Sequence, residues 1–232
     1  MESKTYLVAG QHSWSKEAFK HNTSSSIDTW LYTSDKDYIS LSTIDELSPD
    51  KIFFTHWSHI VPKEITDKYE CICFHPSHLP YGRGGTPVQN LIREGFTETK
   101  LTAFRMTDEI DAGPIYLQYP LSLEGTAQQI YTRTTRISWD MIKTIIKYNL
   151  QSYEQEGTPH YFKRRTPNQS EISGKESLGE LFDHIRMLSA ENYPHAFIEY
   201  GDYIIEFCDP TKAVNSLLTY AIIYRKGAFD ES

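Results

Sequence analysis

A chain of 232 residues has room for one sizeable domain, or one domain with a small appendage. At 39% hydrophobic and 13% aromatic, it is too rich in core formers for a disordered chain. Thirty-one acidic against 23 basic side chains leave a net charge of −8, which argues against a general electrostatic grip on nucleic acid and leaves room only for a local basic patch. Three cysteines make no disulfide framework. No window approaches 18 consecutive apolar residues, and Met1–Thr5 lacks a basic stretch followed by an apolar one, so the reading is a cytoplasmic protein with no membrane partner.

In chain order, Tyr6–Ala9 reads as a buried strand closed by Gly10, followed by a short helix around Ser15–Lys20. Ile27–Tyr32 and Lys51–Thr55 read as strands, and Pro62 opens a helix to about Lys68. Cys71–His75 is a strand stopped by Pro76. A loop crowded with Pro76, Pro80, Gly82, Gly84, Gly85 and Pro87 follows, and long irregular loops inside compact domains are usually functional. Val88–Glu94 reads as helix, and Leu101–Met106 and Ile115–Tyr119 as strands. The strongest helix is Thr126–Tyr148, where Ile130, Thr134, Ile137, Met141, Ile145 and Tyr148 lay one stripe behind a Thr126 cap. Beyond Gln151 the texture turns polar. Leu178–Leu188 predicts a helix, then Phe197–Phe207 and Leu217–Tyr224 two strands with Asp209-Pro210 between them. Strands alternating with helices predict an α/β fold, a mostly parallel sheet with helices on both faces. The expected division is a core over 1–155 and a linker with a small β-rich C-terminal extension over 156–232.

Three segments carry chemistry. Phe74-His75-Pro76-Ser77 places a histidine where a strand exits, and open α/β sheets bind ligands outside the carboxyl ends of their strands. Asp108, Glu109 and Asp111 crowd a turn after the next strand. This suits a metal, a histidine partner or a solvated turn, and no second Cys/His cluster adds metal ligands. Tyr81-Gly82-Arg83-Gly84-Gly85 lacks dinucleotide spacing, but its glycines permit close backbone approach and Arg83 offers a fork for phosphate or carboxylate.

Together these segments resemble the folate-dependent formyltransferases. That family's pattern is Asn-x-His at a strand end, a Pro-Ser-x-Leu-Pro loop, and Asp-x-Gly some thirty-odd residues later. Here His75-Pro76-Ser77-His78-Leu79-Pro80 is followed, 36 positions after the histidine, by Asp111-Ala112-Gly113. Trp57-Ser58-His59-Ile60-Val61-Pro62 is similar to the family's cofactor loop, and Phe162-Lys163-Arg164-Arg165-Thr166-Pro167 to a joining segment of the sugar-modifying branch.

The resemblance implies a Rossmann-like core, N10-formyltetrahydrofolate as formyl donor, no metal, and a primary amine as acceptor. It implies that His75 and Asp111 are catalytic and share the work of proton transfer. Trp57, Ser58, His59, Ile60, Val61, Thr107 and Asp108 would hold the cofactor, and Tyr81, Arg83, Gly84 and Gly85 the acceptor. Cys73 stands where the family carries the Asn that donates to the developing oxyanion, and a thiol is a weak donor. The favoured acceptor is a nucleotide-linked amino-deoxy sugar, since the charge and the length are awkward for a tRNA enzyme. Hydroxyornithine or glycinamide ribonucleotide are alternatives within the same chemistry. A non-catalytic folate- or nucleotide-binding relative is the alternative from another class. The 197–224 strands could pair across a two-fold axis into a homodimer.

Overall fold

The computed structural model describes residues 3–228, so Met1 and Glu2, read above for a leader, lie outside the described residues. In chain order the elements are β1 (Thr5–Ala9), α1 (Ser13–Thr23), β2 (Thr29–Thr33), α2 (Leu41–Leu47), β3 (Lys51–Phe54), α3 (Lys63–Lys68), β4 (Cys71–His75), β5 (Arg83–Gly84), α4 (Pro87–Arg93), β6 (Glu98–Arg105), β7 (Ile115–Ser122) and α5 (Ala127–Tyr148). They continue with β8 (Tyr161–Phe162), α6 (Leu178–Arg186), β9 (Ala196–Tyr200), β10 (Tyr203–Lys212) and β11 (Leu217–Arg225).

Contacts divide the chain into two compact units. The first comprises Met1–Gly84, Thr99–Leu121 and Thr132–Tyr161; the second comprises Gly85–Glu98, Ser122–Tyr131 and Phe162–Ser232. The first is built on a six-stranded sheet in the order β2-β1-β3-β4-β6-β7. The four strands β2, β1, β3 and β4 are parallel, with Val8 opposite Phe53 and Phe53 opposite Ile72. β6 runs antiparallel to β4, with Cys73 opposite Phe104.

Apolar runs such as Leu7-Val8-Ala9 and Ile52-Phe53-Phe54 are fully buried because both faces of the sheet are covered. On one face Val8, Phe53, Ile72 and Phe74 pack with Trp139, Met141, Ile142 and Ile145 of α5. On the other, Leu7, Ile52, Phe54 and Cys71 pack with Ile44 of α2 and Ile65 of α3. The alternation of the strand therefore puts Cys71 and Cys73 on the face opposite Ile72 and Phe74.

Several boundaries differ from the sequence reading. Ile27 is 86% exposed and precedes β2, which starts at Thr29. The short α2, with only Ile44 buried, carries too little periodicity to be read from the sequence. Pro62 caps α3 from outside, its carbonyl accepting from the N–H groups of Ile65 and Thr66, instead of opening the helix. Tyr148 is 63% exposed and leaves the α5 stripe, which Trp139 and Ile142 join instead.

In the second unit, Thr126 and Gln129 bond reciprocally at the start of α5, side chain to backbone N–H in each direction. Ser177 and Glu180 form the same box at α6. The three strands β11-β10-β9 form an antiparallel sheet against which α6 packs through β10. The stretch read as one strand, 197–207, is two: Gly201, at φ +56°, turns β9 into β10. Asp209-Pro210 does not separate strands but sits inside β10 as a bulge, with the pairing to β11 shifting between Cys208 and Thr211.

Phe53 lies at 0% exposure in the middle of the first unit's sheet. Phe53→Ala is expected to cost about 3–5 kcal/mol through lost burial and the cavity left behind, read as a lower denaturant midpoint at unchanged slope.

Candidate active site

β4 delivers His75 to the carboxyl edge of the parallel strands, where Pro76 ends the pairing. The following loop then turns back on the histidine. Gly82 (φ +81°) and Gly84 (φ +96°) take left-handed conformations that let it do so. The Gly82 carbonyl accepts from His75 Nε2 at 2.7 Å and from the Ser77 hydroxyl at 3.2 Å. Thr102 of β6 donates to the Ser77 carbonyl at 2.7 Å, and Gln118 of β7 to that of Leu79 at 3.1 Å. The loop is thus fastened from two neighbouring strands.

The turn between β6 and β7 brings Asp111 to the same place. Asp111 Oδ2 lies 3.5 Å from His75 Nδ1 and accepts from the Gly84 N–H at 2.8 Å. Both side chains are largely withdrawn from water, at 9% and 15% exposure. Asp111 itself is held at φ +54°, a conformation in which Asp is tolerated but not favoured. A Cβ on Gly113 would stand 1.8 Å from the Arg105 carbonyl oxygen, so the Gly of the Asp-x-Gly pattern is a packing requirement of this turn.

Arg83 is buried, and its fork is directed to the chain itself. Nε and Nη2 donate to Gln155 Oε1 at 3.2 and 2.8 Å; Nη1 donates to Glu109 and to the Tyr161 hydroxyl at 3.2 and 3.1 Å. Gly85 makes its close approach to Arg164, where a Cβ would lie 2.5 Å from that residue's own Cβ. Tyr81 is half-buried and stacks on His160, ring centroids 4.5 Å apart.

Cys73 is half-buried beside Leu79, Phe104 and Ile115. Burial, with the Asp111 charge adding to it, pushes its thiol well above the ordinary cysteine range. Burial likewise pushes Cys71 up to about 12. Burial thus favours the neutral thiol at both positions. Among the described residues no group of three or more His, Cys, Asp or Glu side chains is placed to hold a metal.

The 57–61 loop leaves β3 at the same sheet edge. Gln11, just beyond β1, clamps it: its Oε1 accepts from the Ser58 N–H (3.0 Å) and hydroxyl (2.7 Å), and its Nε2 meets His59 Nε2 at 2.6 Å. Trp57 lies edge-on to Phe54, with its indole N–H buried and without a hydrogen-bond partner. Val61 is part of the core, whereas Ile60 is 89% exposed. Asp108 is exposed and paired with Lys63 at 2.7 Å. Thr107 and Asp108 also wall an open cleft of about 660 Å³ with Thr66, Asp67 and Met106, a lining that includes neither His75 nor Asp111.

The structure therefore brings His75, Asp111, Gly84 and Cys73 to one place and joins Trp57, Ser58 and His59 in a second cluster. Sequence reasoning missed Gln11 and Gln155. Gln11 follows the end of β1, a position that the strand-end rule could have flagged. Gln155 lies in a polar stretch with no pattern to distinguish it.

Known proteins are similar to this chain in sequence and in fold. Residues 8–145 match the family model for formyl transferase, and residues 167–224 the model for the methionyl-tRNA formyltransferase C-terminal domain. The chain is 30% identical over 209 residues to a methionyl-tRNA formyltransferase of Francisella philomiragia, covering 84% of this chain and 65% of that protein; it spans between half and two thirds of the length of the curated relatives it matches. A solved structure titled methionyl-tRNA formyltransferase from Clostridium thermocellum superposes with a TM-score of 0.93 at 36% identity, covering 96% of this chain and 99% of that one. A sugar N-formyltransferase from Shewanella sp. shares the fold at a TM-score of 0.67 and 17% identity, covering 94% and 96%. The sequence reading set this chain nearest the sugar-modifying branch, whereas the more similar relatives carry the methionyl-tRNA name. With 138 of its 232 residues inside the first model, the chain belongs to the formyl transferase family.

Proposed function

We propose that the protein transfers the formyl group of N10-formyltetrahydrofolate to the primary amine of a small molecule. The observation that carries the reading is the His75–Asp111 pair, shielded from water at the carboxyl edge of the sheet in a chain of this family. The residues of the 57–61 loop fit a flat ring with polar edges. Trp57 offers an orphaned N–H, Ile60 an uncovered apolar surface, and Ser58 and His59 a loop pinned by Gln11. Bound there, the donor supplies the electrophilic formyl carbon.

The remaining chemistry belongs to the chain. His75 Nε2 is anchored on the Gly82 carbonyl, while Nδ1 is only loosely engaged at 3.5 Å, so Nδ1 is the edge free to meet the formyl oxygen. With both ring nitrogens protonated, His75 keeps its anchor and gives the developing oxyanion a charged donor. Asp111 balances that charge and, through water, accepts the proton the amine loses. The same proton returns to the folate nitrogen as the carbon–nitrogen bond to the donor breaks. Cys73, a neutral thiol, contributes little as the second oxyanion donor.

For the acceptor, the net charge of −8 favours a small amine, with a nucleotide-linked amino sugar as the leading class. The names of the 30–36% identical relatives favour a second reading, an aminoacyl-tRNA.

Tetrahydrofolate release from N10-formyltetrahydrofolate, measured against 3-amino and 4-amino nucleotide sugars, hydroxyornithine, glycinamide ribonucleotide and methionyl-tRNA, separates the two readings. Release dependent on one small amine is expected; release with methionyl-tRNA alone establishes the second reading, and silence across the panel sinks both. Asp111→Asn is expected to lower kcat by about 10²–10⁴-fold, and a fully active variant removes Asp111 from the mechanism. Cys73→Asn, restoring an amide donor, is expected to raise kcat by up to about 10²-fold.

The neutral thiols have their own signature. Iodoacetamide at pH 8 should leave Cys71 and Cys73 unmodified in the folded protein, because the thiolate that reacts is scarce when burial holds the pKa high. Mass spectrometry before and after denaturation reads this, and rapid native labelling of Cys73 would mean an exposed, ionised thiol.

A further inference from the structure

We infer that Gln155 is a positioning residue, the side chain that holds Asp111 in its working conformation. The inference rests on the catalytic reading of His75 and Asp111 given above. Gln155 Nε2 donates to two carbonyls of the Asp111 turn, those of Asp111 at 2.9 Å and Gly113 at 2.8 Å. Its Oε1 takes both Nε and Nη2 of the buried Arg83. Arg83 precedes Gly84, whose N–H holds the Asp111 carboxylate.

One amide therefore closes a ring. It joins the backbone of the Asp111 turn to the side chain of the loop whose backbone fixes the Asp111 carboxylate. The segment bearing Gln155 is itself tied down on both sides. Tyr153 exchanges two backbone hydrogen bonds with Ile115, at 2.7 and 2.9 Å, and the His160 carbonyl accepts from the N–H groups of Gly82 and Arg83. The Tyr161 hydroxyl completes the bracing by donating to Glu109 at 2.9 Å. Asp111 sits at positive φ, a conformation that persists only where surrounding bonds over-determine it, and Gln155 supplies two of those bonds.

Substitution by Glu is the discriminating change. A carboxylate keeps the size and still accepts from Arg83, but it cannot donate to the two carbonyls and repels them. In Gln155→Glu the Asp111 turn is expected to loosen while Arg83 and the fold stay in place. Amide hydrogen exchange followed by NMR should show the Gly84 N–H exchanging about 10-fold faster or more, with the sheet amides unchanged. In the formyl-transfer assay kcat should fall about 10²-fold at unchanged KM and melting temperature, as for a catalytic group displaced by about 1 Å. Gln155→Leu, which removes the donors without adding charge, should deprotect Gly84 in the same way.

Unchanged Gly84 protection in whichever variant folds overturns the inference, as does loss of protection spread evenly over the protein, which marks a purely structural role. The exchange measurement needs no turnover. A wild-type protein inactive toward every amine would count against the catalytic reading, while Gly84 would still decide whether Gln155 holds the turn.

Discussion

The organising constraint in this molecule is the meeting of one imidazole and one carboxylate at 3.5 Å, the first from the end of a strand and the second from a turn between two others. Neither β4 nor the β6–β7 turn can do this alone. His75 is aimed by a carbonyl seven residues further along the chain, and Asp111 by an N–H two residues beyond that carbonyl. The 76–84 loop is therefore a two-pronged clamp, with Gly82 on the imidazole and Gly84 on the carboxylate. Both prongs are backbone groups on glycines at positive φ. Side chains there would oppose the conformation that points the carbonyl one way and the N–H the other.

Seen this way, the parts legible in the sequence are those in which a residue acts through its own local conformation. His75 before Pro76, Asp111 before Gly113 and the glycines of the loop can be read because strand ends and turns demand particular residue types. The buried strands are legible for the same reason, as short apolar runs bounded by breakers. For residues that act across the chain, the partner is not legible even where the position is. Arg83 carries every outward sign of an anion fork, yet two arms of that fork are turned to Gln155, which lies 72 positions away. Gln11 pins a loop 47 positions distant. In the C-terminal sheet, Gly201 and the Asp209-Pro210 pair each carry turn chemistry, but only the first makes a turn; the second is absorbed as a bulge because β10 continues pairing beyond it.

Cys73 tests how much of the family's chemistry depends on one donor. Its strand position is fixed by pairing with Phe104 and by the apolar surroundings of Leu79 and Ile115, and a small neutral thiol suits that environment. An amide there would bring two donors and an acceptor into the same space and need partners for them. The trade is between a comfortable half-buried residue and an oxyanion donor. With burial and the Asp111 charge favouring the neutral thiol, the proposed mechanism leaves the electrostatic work to the imidazole.

On the proposed mechanism, that division of labour accounts for the neutral side chain that stands between Arg83 and the Asp111 turn. A guanidinium paired directly with the Asp111 carboxylate would stabilise its charge and fix its position, but would also compete with His75 for it. Arg83 instead spends its charge on Glu109, whose side chain is 65% exposed and so contributes little to stability. Through Gln155 it passes on geometry without charge. An amide, with an acceptor at one end and donors at the other, is the side chain that can join a cation to backbone carbonyls. The arrangement keeps the Asp111 turn rigid while leaving its negative charge to face His75, which on this reading is where the reaction needs it.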